Sequence, residues 1–286
     1  MTFEFEADLF AHIAVRGLAV ENPERLAGGR SNLVWRAGSV VIKLYQQPGE
    51  NPLFANDALR EGASLKALAG TGLAPKFLDA GMFNGCKWLA YSHIEGTVWQ
   101  QDTAHVAQLL GRLHDQAGFS GLPMGCNGSA DLTEQTLTVL AQCNSSNPLR
   151  GLAPSGQVAA CKNPVVIHGD PVPGNLVDHG GTLTLIDWQC PQLGDPAEDL
   201  ALFLSPAMQL LYRGTQLTRL EEDAFLGAYP DRRVVTRLLA LKPWFHWRMA
   251  AYCLWRSGQS NQGSHRDHDA MVLELEALQS ISPSAA

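Results

Sequence analysis

Two carboxylates and a carboxamide, Asp170, Asn175 and Asp187, fall within about twenty residues in the stretch VVIHGDPVPGNLVDHGGTLTLIDW, Val165 to Trp188. Oxygen-bearing side chains gathered this way suit a hard cation such as magnesium, which takes carboxylate and carbonyl oxygens and keeps room for water and phosphate. The flanking pattern says how they are held. Val165, Val166 and Ile167 run apolar up to a short loop, Leu176 and Val177 lead away from it, and Asp178-His179-Gly180-Gly181 supplies the positive φ of a tight reversal. Thr182 to Ile186 alternate and return Asp187 toward the loop. Singly, each residue reads as a turn or a helix cap; the combination is what points to a metal-bound phosphate.

Asp170, four residues, Asn175 is also the spacing of the kinase catalytic loop, where the aspartate receives the acceptor hydroxyl and the asparagine holds a metal. IHGDPVPGN, then LIDW, then GDPAEDLA occur in that order, and together they resemble the aminoglycoside phosphotransferase and choline kinase superfamily, relatives of the protein kinases. The resemblance implies that Asp170 is the catalytic base and that Asn175 and Asp187 are magnesium ligands. It also makes ATP the phosphoryl donor and a small-molecule hydroxyl the acceptor. His168 reads as a prop for the loop, and Asp195 and Asp199 as structural supports, with Asp195 ahead of Pro196 at a helix start.

Upstream, LAGGRSNLVWRAGSVVIKLYQ reads as a glycine turn and two strands, Val34 to Arg36 and Val40 to Tyr45. Gly29, Ser31 and Asn32 are phosphate-loop candidates, because a turn without Cβ atoms can lay backbone N–H groups over phosphates. Lys43 follows Val40-Val41-Ile42, the setting of the kinase lysine, although strand alternation could equally turn it to solvent. The helix from about Asn56 to Ala69 arbitrates. At helical spacing Ala58, Glu61, Leu65, Leu68 and Ala69 share one face, so a carboxylate lies on the buried side and needs a cation, for which Lys43 is the candidate. KWLAYSHI, Lys87 to Ile94, reads as a buried strand. In the resembling family it is the hinge that binds adenine, which makes Tyr91, Ser92 and His93 nucleotide-site candidates.

Composition narrows the alternatives. A net charge of -7 over 286 residues disfavours a nucleic-acid partner, and 45% hydrophobic content allows a core large enough for two lobes. Six dispersed cysteines argue against zinc and disulfide scaffolds and for a reduced, cytoplasmic setting. Neither a signal peptide nor a membrane span is visible, and no obligate protein partner is evident.

Helical patterns dominate beyond residue 96: Val106, Leu109, Leu110 and Leu113, then about Leu132 to Cys143, then Leu217 to Leu278 with a break near Pro243. The expected fold is α+β, bilobal and protein-kinase-like, with a small N-terminal β-sheet lobe carrying one helix, residues 1–95, and a larger mostly helical lobe, residues 96–286. Pro243 fits the start of a helix on which Trp244, Trp247, Ala251 and Trp255 share a face, with Arg248 beside them and Tyr252 at the margin. Such a stripe reads either as core or as a cleft wall that holds an amine by cation–π attraction. Trp188, Trp247 and Trp255 are therefore the acceptor-site candidates, and an amino alcohol or aminoglycoside-like amine is the first guess for the acceptor. Two rivals stand beside the kinase: a catalytically silent nucleotide-binding pseudokinase, and a metal-dependent phosphohydrolase.

Overall fold

The structure is a computed structural model that describes residues 3–26, 32–46, 51–143, 148–259 and 264–281. After helix α1 (Phe3–Ala14) come strands β1 (Glu24–Arg25), β2 (Asn32–Ala37) and β3 (Val40–Tyr45), then helix α2 (Ala58–Ala67), then β4 (Phe77–Phe83) and β5 (Cys86–Ser92). The strands form one antiparallel sheet in the order β1-β2-β3-β5-β4. All six residues of β3 are buried, because both faces of the sheet are covered. Val40, Ile42 and Leu44 join Leu9 and Ile13 of α1 in one core, while Val41 and Tyr45 face Leu65 of α2 in the other. The period of two thus places Lys43 on the α2 side. The N-terminal part carries two helices where one was expected: α1 packs on the sheet with Leu9 and Ile13 fully buried.

The rest is mostly helical. A short strand β6 (Thr97–Val98) leads into α3 (Thr103–His114) and α4 (Ser129–Ala141). The central β segments follow: β7 (Val165–Ile167), β8 (Leu176–His179), β9 (Thr182–Leu185) and β10 (Gln192–Gly194). Helices α5 (Pro196–Leu204), α6 (Pro206–Tyr212), α7 (Arg219–Ala228), α8 (Arg232–Gln259) and α9 (Ser264–Ile281) complete the chain. Strand β8 pairs with β6 and β9, and β7 pairs with β10, so the loop between β7 and β8 is held from two sides.

Two expectations about the helices need correcting. Ala69 is exposed beyond the end of α2, whose buried face comprises Ala58, Glu61, Gly62, Ser64 and Leu65. Pro243 neither starts nor breaks a helix; it lies inside α8, which is continuous over 28 residues. An interior proline costs about 3 kcal/mol in an isolated helix. The buried run Trp244 to Cys253, packed against α4, α5 and α9, outweighs that cost.

Candidate active site

The groups singled out for phosphate chemistry that lie within the described residues, apart from Glu61 behind Lys43, converge on one cleft of about 400 Å³ between the sheet and the helical part. Lys43, Tyr91 and His93 line its sheet side, and Asp170, Asn175 and Asp187 line the other. Gly29 and Ser31 lie outside the described residues.

The cation comes first. Lys43 is 3% exposed and its Nζ donates to Glu61 Oε2 at 2.7 Å and also to Asp187 Oδ1. Burial lowers the pKa of the ammonium, but Asp187 and Glu61 outweigh it and hold the lysine above its ordinary value. Glu61 is 1% exposed and accepts from the Tyr45 hydroxyl as well, so its carboxylate is bound by two donors. Asp57 caps the helix that carries it, accepting from the Leu59 and Arg60 N–H groups at 2.9 and 3.2 Å. Tyr45 carries no motif signal; only its position two residues beyond Lys43, on the same strand face, could have found it.

A double-variant cycle tests this unit. Lys43→Ala and Glu61→Ala are each expected to lower transfer by about 10²-fold or more, and the double variant should be no worse than the poorer single within roughly threefold. Steady-state kinetics that show strictly multiplied losses would break the unit apart.

The loop opposite is built on buried backbone contacts. Gly169 has φ +78°, and a Cβ there would lie 2.3 Å from the Cys190 carbonyl oxygen, so only glycine fits. The Gly169 and His168 N–H groups both donate to Asp199, at 2.8 Å each, and Asp199 also meets His114 at 3.1 Å. Burial holds the His168 pKa below its ordinary value against the pull of Asp199 and Asp187. His168 Nε2 donates to the Ile186 carbonyl at 3.1 Å while Nδ1 accepts from the Asp170 N–H at 3.2 Å, which fixes one neutral tautomer. The ring ties the loop to the residue before Asp187. Asp195 caps α5 through the Ala197 N–H and also holds Arg237.

Asn175 Nδ2 donates to the Asp170 carbonyl at 2.9 Å and to its Oδ2 at 3.2 Å, which aims the carboxylate and turns the Asn175 Oδ1 away from it. The Asp170 carboxyl is held well above the usual range, first by burial and then by the charge of Asp187. Asp187 sits at φ +66°, in the left-handed region, just past the end of β9. Among the described residues no group of three His, Cys, Asp or Glu side chains closes around a metal. Asp187 and the Asn175 oxygen instead supply the partial oxygen set of a hard ion that shares its shell with phosphate and water, and the residues present fit magnesium in that sense.

The motifs and the cleft now have a counterpart among known proteins. The model of the phosphotransferase enzyme family matches residues 22–236. The chain belongs to that family. A comparison with curated proteins gave no match. Among solved structures, a choline/ethanolamine kinase family protein from Mesorhizobium loti superposes with a TM-score of 0.69 at 16% identity, covering 98% of this chain and 96% of its own. The choline kinase LicA from Streptococcus pneumoniae gives 0.67 at 17%, covering 96% and 99%. An aminoglycoside 2'-phosphotransferase-IIIa, in its GDP complex, gives 0.63 at 14%, covering 98% of each chain. At these identities the likeness is one of fold, the bilobal kinase-like architecture.

Against this family frame the remaining candidates divide. Asn32 lies in the cleft, but its amide is exchanged with Asn56 at 2.8 and 2.9 Å and reaches Gln189 at 3.1 Å, which stitches β2 to the segment after Asp187. The His93 N–H donates to Ser39 and the Ser92 N–H to Lys76, so along the expected hinge these two donors are occupied. The tryptophans stand apart from the cleft. Trp188 is fully buried, donates to the Leu185 carbonyl at 2.9 Å and meets His168 edge to face. Trp247 is fully buried and donates to the Leu149 carbonyl at 2.7 Å. Trp255 stacks behind Tyr252, and Arg248 is a core cation held by Glu198 at 2.8 Å and Gln135 at 2.7 Å. The face of α8 that lines the cleft is instead Tyr252 and Arg256, one helical turn apart and one residue round from Ala251 and Trp255.

Proposed function

We propose that the protein transfers the γ-phosphoryl group of ATP to a hydroxyl of a small molecule. The observation that carries this reading is the meeting of Lys43, Asp170, Asn175 and Asp187 in a single cleft, with Glu61 bound to Lys43 behind its wall. Residues 1–95 then hold the nucleotide, with the phosphates on Lys43 and adenine along Tyr91 to His93, and residues 96–286 hold the acceptor. Magnesium, when bound, neutralises the charge on the phosphate oxygens, and Asn175 and Asp187 are the residues that would hold it. Asp170 orients the acceptor hydroxyl and takes its proton at the carboxylate oxygen, and the raised pKa of its buried carboxyl makes it a better base than a solvated aspartate. Lys43 keeps its charge through the reaction because Glu61 stays with it, leaving the ammonium to steady phosphate oxygens.

The same arrangement weighs against the two rivals. A phosphohydrolase has no use for the Lys43–Glu61 pair, and a silent nucleotide-binding module has no use for a carboxylate oriented by Asn175. The first guess of an amino alcohol or aminoglycoside-like amine drew on the acidic chain, the choline-kinase-like resemblance and the indole stripe of α8, and with Trp247 in the core the stripe no longer supports it.

The test is ATP turnover over a panel of hydroxyl-bearing small molecules, with the phosphorylated product identified by mass. Acceptor-dependent ADP release is the expected result. Phosphate release indifferent to acceptor would instead mark a hydrolase. Asp187→Ala should raise the magnesium requirement about tenfold or more, since a carboxylate is lost from a small ligand set. An unaltered magnesium titration would refute that assignment.

A further inference from the structure

Beyond the reacting groups, one corner of the cleft has its own chemistry, made by Asn51, Tyr252 and Arg256. Asn51 Oδ1 accepts from the Leu53 and Phe54 N–H groups, both at 3.0 Å, which fixes its amide so that Nδ2 faces the Tyr252 hydroxyl at 3.1 Å. Arg256 Nη1 approaches the same oxygen at 3.4 Å. A phenol oxygen has two lone pairs; with two N–H groups pointed at it, its own proton is left to donate. Asp267, buried on α9, is a counter-charge to the guanidinium, 3.5 Å from Arg256 Nε, while Nη1 approaches Tyr252. With the Asn51 Oδ1 and the Tyr252 lone pairs taken up in this way, the trio lines the cleft chiefly as donors, one of them charged.

The corner adjoins the chemistry. A Cβ on Gly174, in the loop between Asp170 and Asn175, would stand 2.7 Å from the Tyr212 ring, so Tyr212 lies directly on the loop. Tyr212 and Tyr252 both bear on Arg256 electrostatically. Burial raises the Tyr252 phenol against the pull of Arg256 and Asn51, and Asp170 lines the same cleft as these three residues. An ammonium here would meet, in Arg256, Tyr252 and Asn51, a guanidinium and N–H and O–H donors. A planar oxyanion would meet complementary partners, and arginine with a flanking hydroxyl is well suited to hold one.

We propose that the acceptor is a hydroxy acid, with its hydroxyl at Asp170 and its carboxylate held by Arg256, Tyr252 and Asn51. The proposal rests on the phosphotransferase reading for the hydroxyl end; the carboxylate end stands on the donor set alone. Arg256 is then the residue that sets specificity, and Asp267 positions it.

Pairs of compounds that differ by a carboxylate test it: serine with ethanolamine, homoserine with 3-aminopropanol, glycerate with ethylene glycol. Binding is measured by calorimetry on the full chain with magnesium and ADP, and turnover with magnesium and ATP. In at least one pair the acid should bind and be phosphorylated about tenfold or more better than its partner. Arg256→Gln should weaken that acid about 10- to 100-fold and level the pair, with Arg256→Lys recovering part of the loss. Tyr252→Phe, which keeps the ring and so the packing, should weaken it about threefold to tenfold. Preference for the amine or diol members overturns the proposal, as does an acid affinity indifferent to both Arg256→Gln and Tyr252→Phe. So does the failure of every acid to bind up to about 20 mM, an affinity weaker than a charged hydrogen-bonded site should allow. The two readings fail separately: transfer to ethanolamine untouched by Arg256→Gln removes only the acid, whereas acids that bind through Arg256 but accept no phosphate remove only the transfer.

Discussion

Asp170→Asn is expected to lower phosphoryl transfer by about 10²–10⁴-fold and, in the same molecule, to raise the melting temperature. The first effect follows from the loss of the only carboxylate that Asn175 orients, with the shape of the side chain kept. The second follows from the cost of that carboxylate. Burial and Asp187 hold the Asp170 carboxyl well above its ordinary range, so between the unfolded and folded pKa values the native state binds the proton and the unfolded chain does not. Stability of the parent protein must therefore fall as pH rises through that window. The asparagine variant has no proton to lose there, so its advantage in melting temperature should widen with pH. Thermal unfolding at a series of pH values, beside single-turnover transfer, checks both. A variant that is less stable at every pH would mean that Asp170 is held by favourable contacts and not against repulsion.

The largest loss of stability should come from a residue that touches no substrate in this reading. Asp199 is fully buried and takes three donors, the N–H groups of His168 and Gly169 and the ring of His114. Asp199→Ala leaves all three unpaired in the interior, and the expected cost is about 3–5 kcal/mol. The loop that aims Asp170 is also released, so kcat should fall even in the fraction that remains folded. Asp199→Asn keeps one acceptor oxygen and should lose less of both. Chemical denaturation with kinetics on the folded protein measures the pair. Equal stability of Asp199→Ala and the parent would show that water replaces the carboxylate and that the clamp is dispensable.

How far these features can be read without coordinates depends on the range over which each is specified. The Asp170 to Asp187 constellation is local: one loop and one hairpin fix it, and turn residues announce both. The Lys43–Glu61 pair spans 18 residues and is legible because a carboxylate on an apolar helix face demands a cation. The acceptor side of the cleft follows a different logic. Trp244, Trp247, Ala251 and Trp255 form a convincing apolar stripe, but α8 is buried all round from Trp244 to Cys253, so periodicity does not say which side faces the cleft. Pro243 misled for a related reason, because local cost reads as a boundary until the packing that offsets it is known. Tyr252 and Arg256 gain their meaning only from Asn51, some two hundred residues earlier. No spacing rule reaches that far.

The left-handed backbone at Asp187 sets which residues can replace it without harm to the fold. Asparagine and glycine are at home at φ +66°, whereas a glutamate would keep the charge but bear a backbone cost of about 1–2 kcal/mol and reach a methylene too far. The residues that the main chain welcomes are the ones that lack the carboxylate, and the one that keeps it is unwelcome. Against that backbone preference stands one partly buried ion pair: Lys43 would lose Asp187 as a partner and keep Glu61. A lineage released from the need for transfer could therefore lose this carboxylate through a single exchange that the main chain favours, and the trace in stability would be that of one broken ion pair.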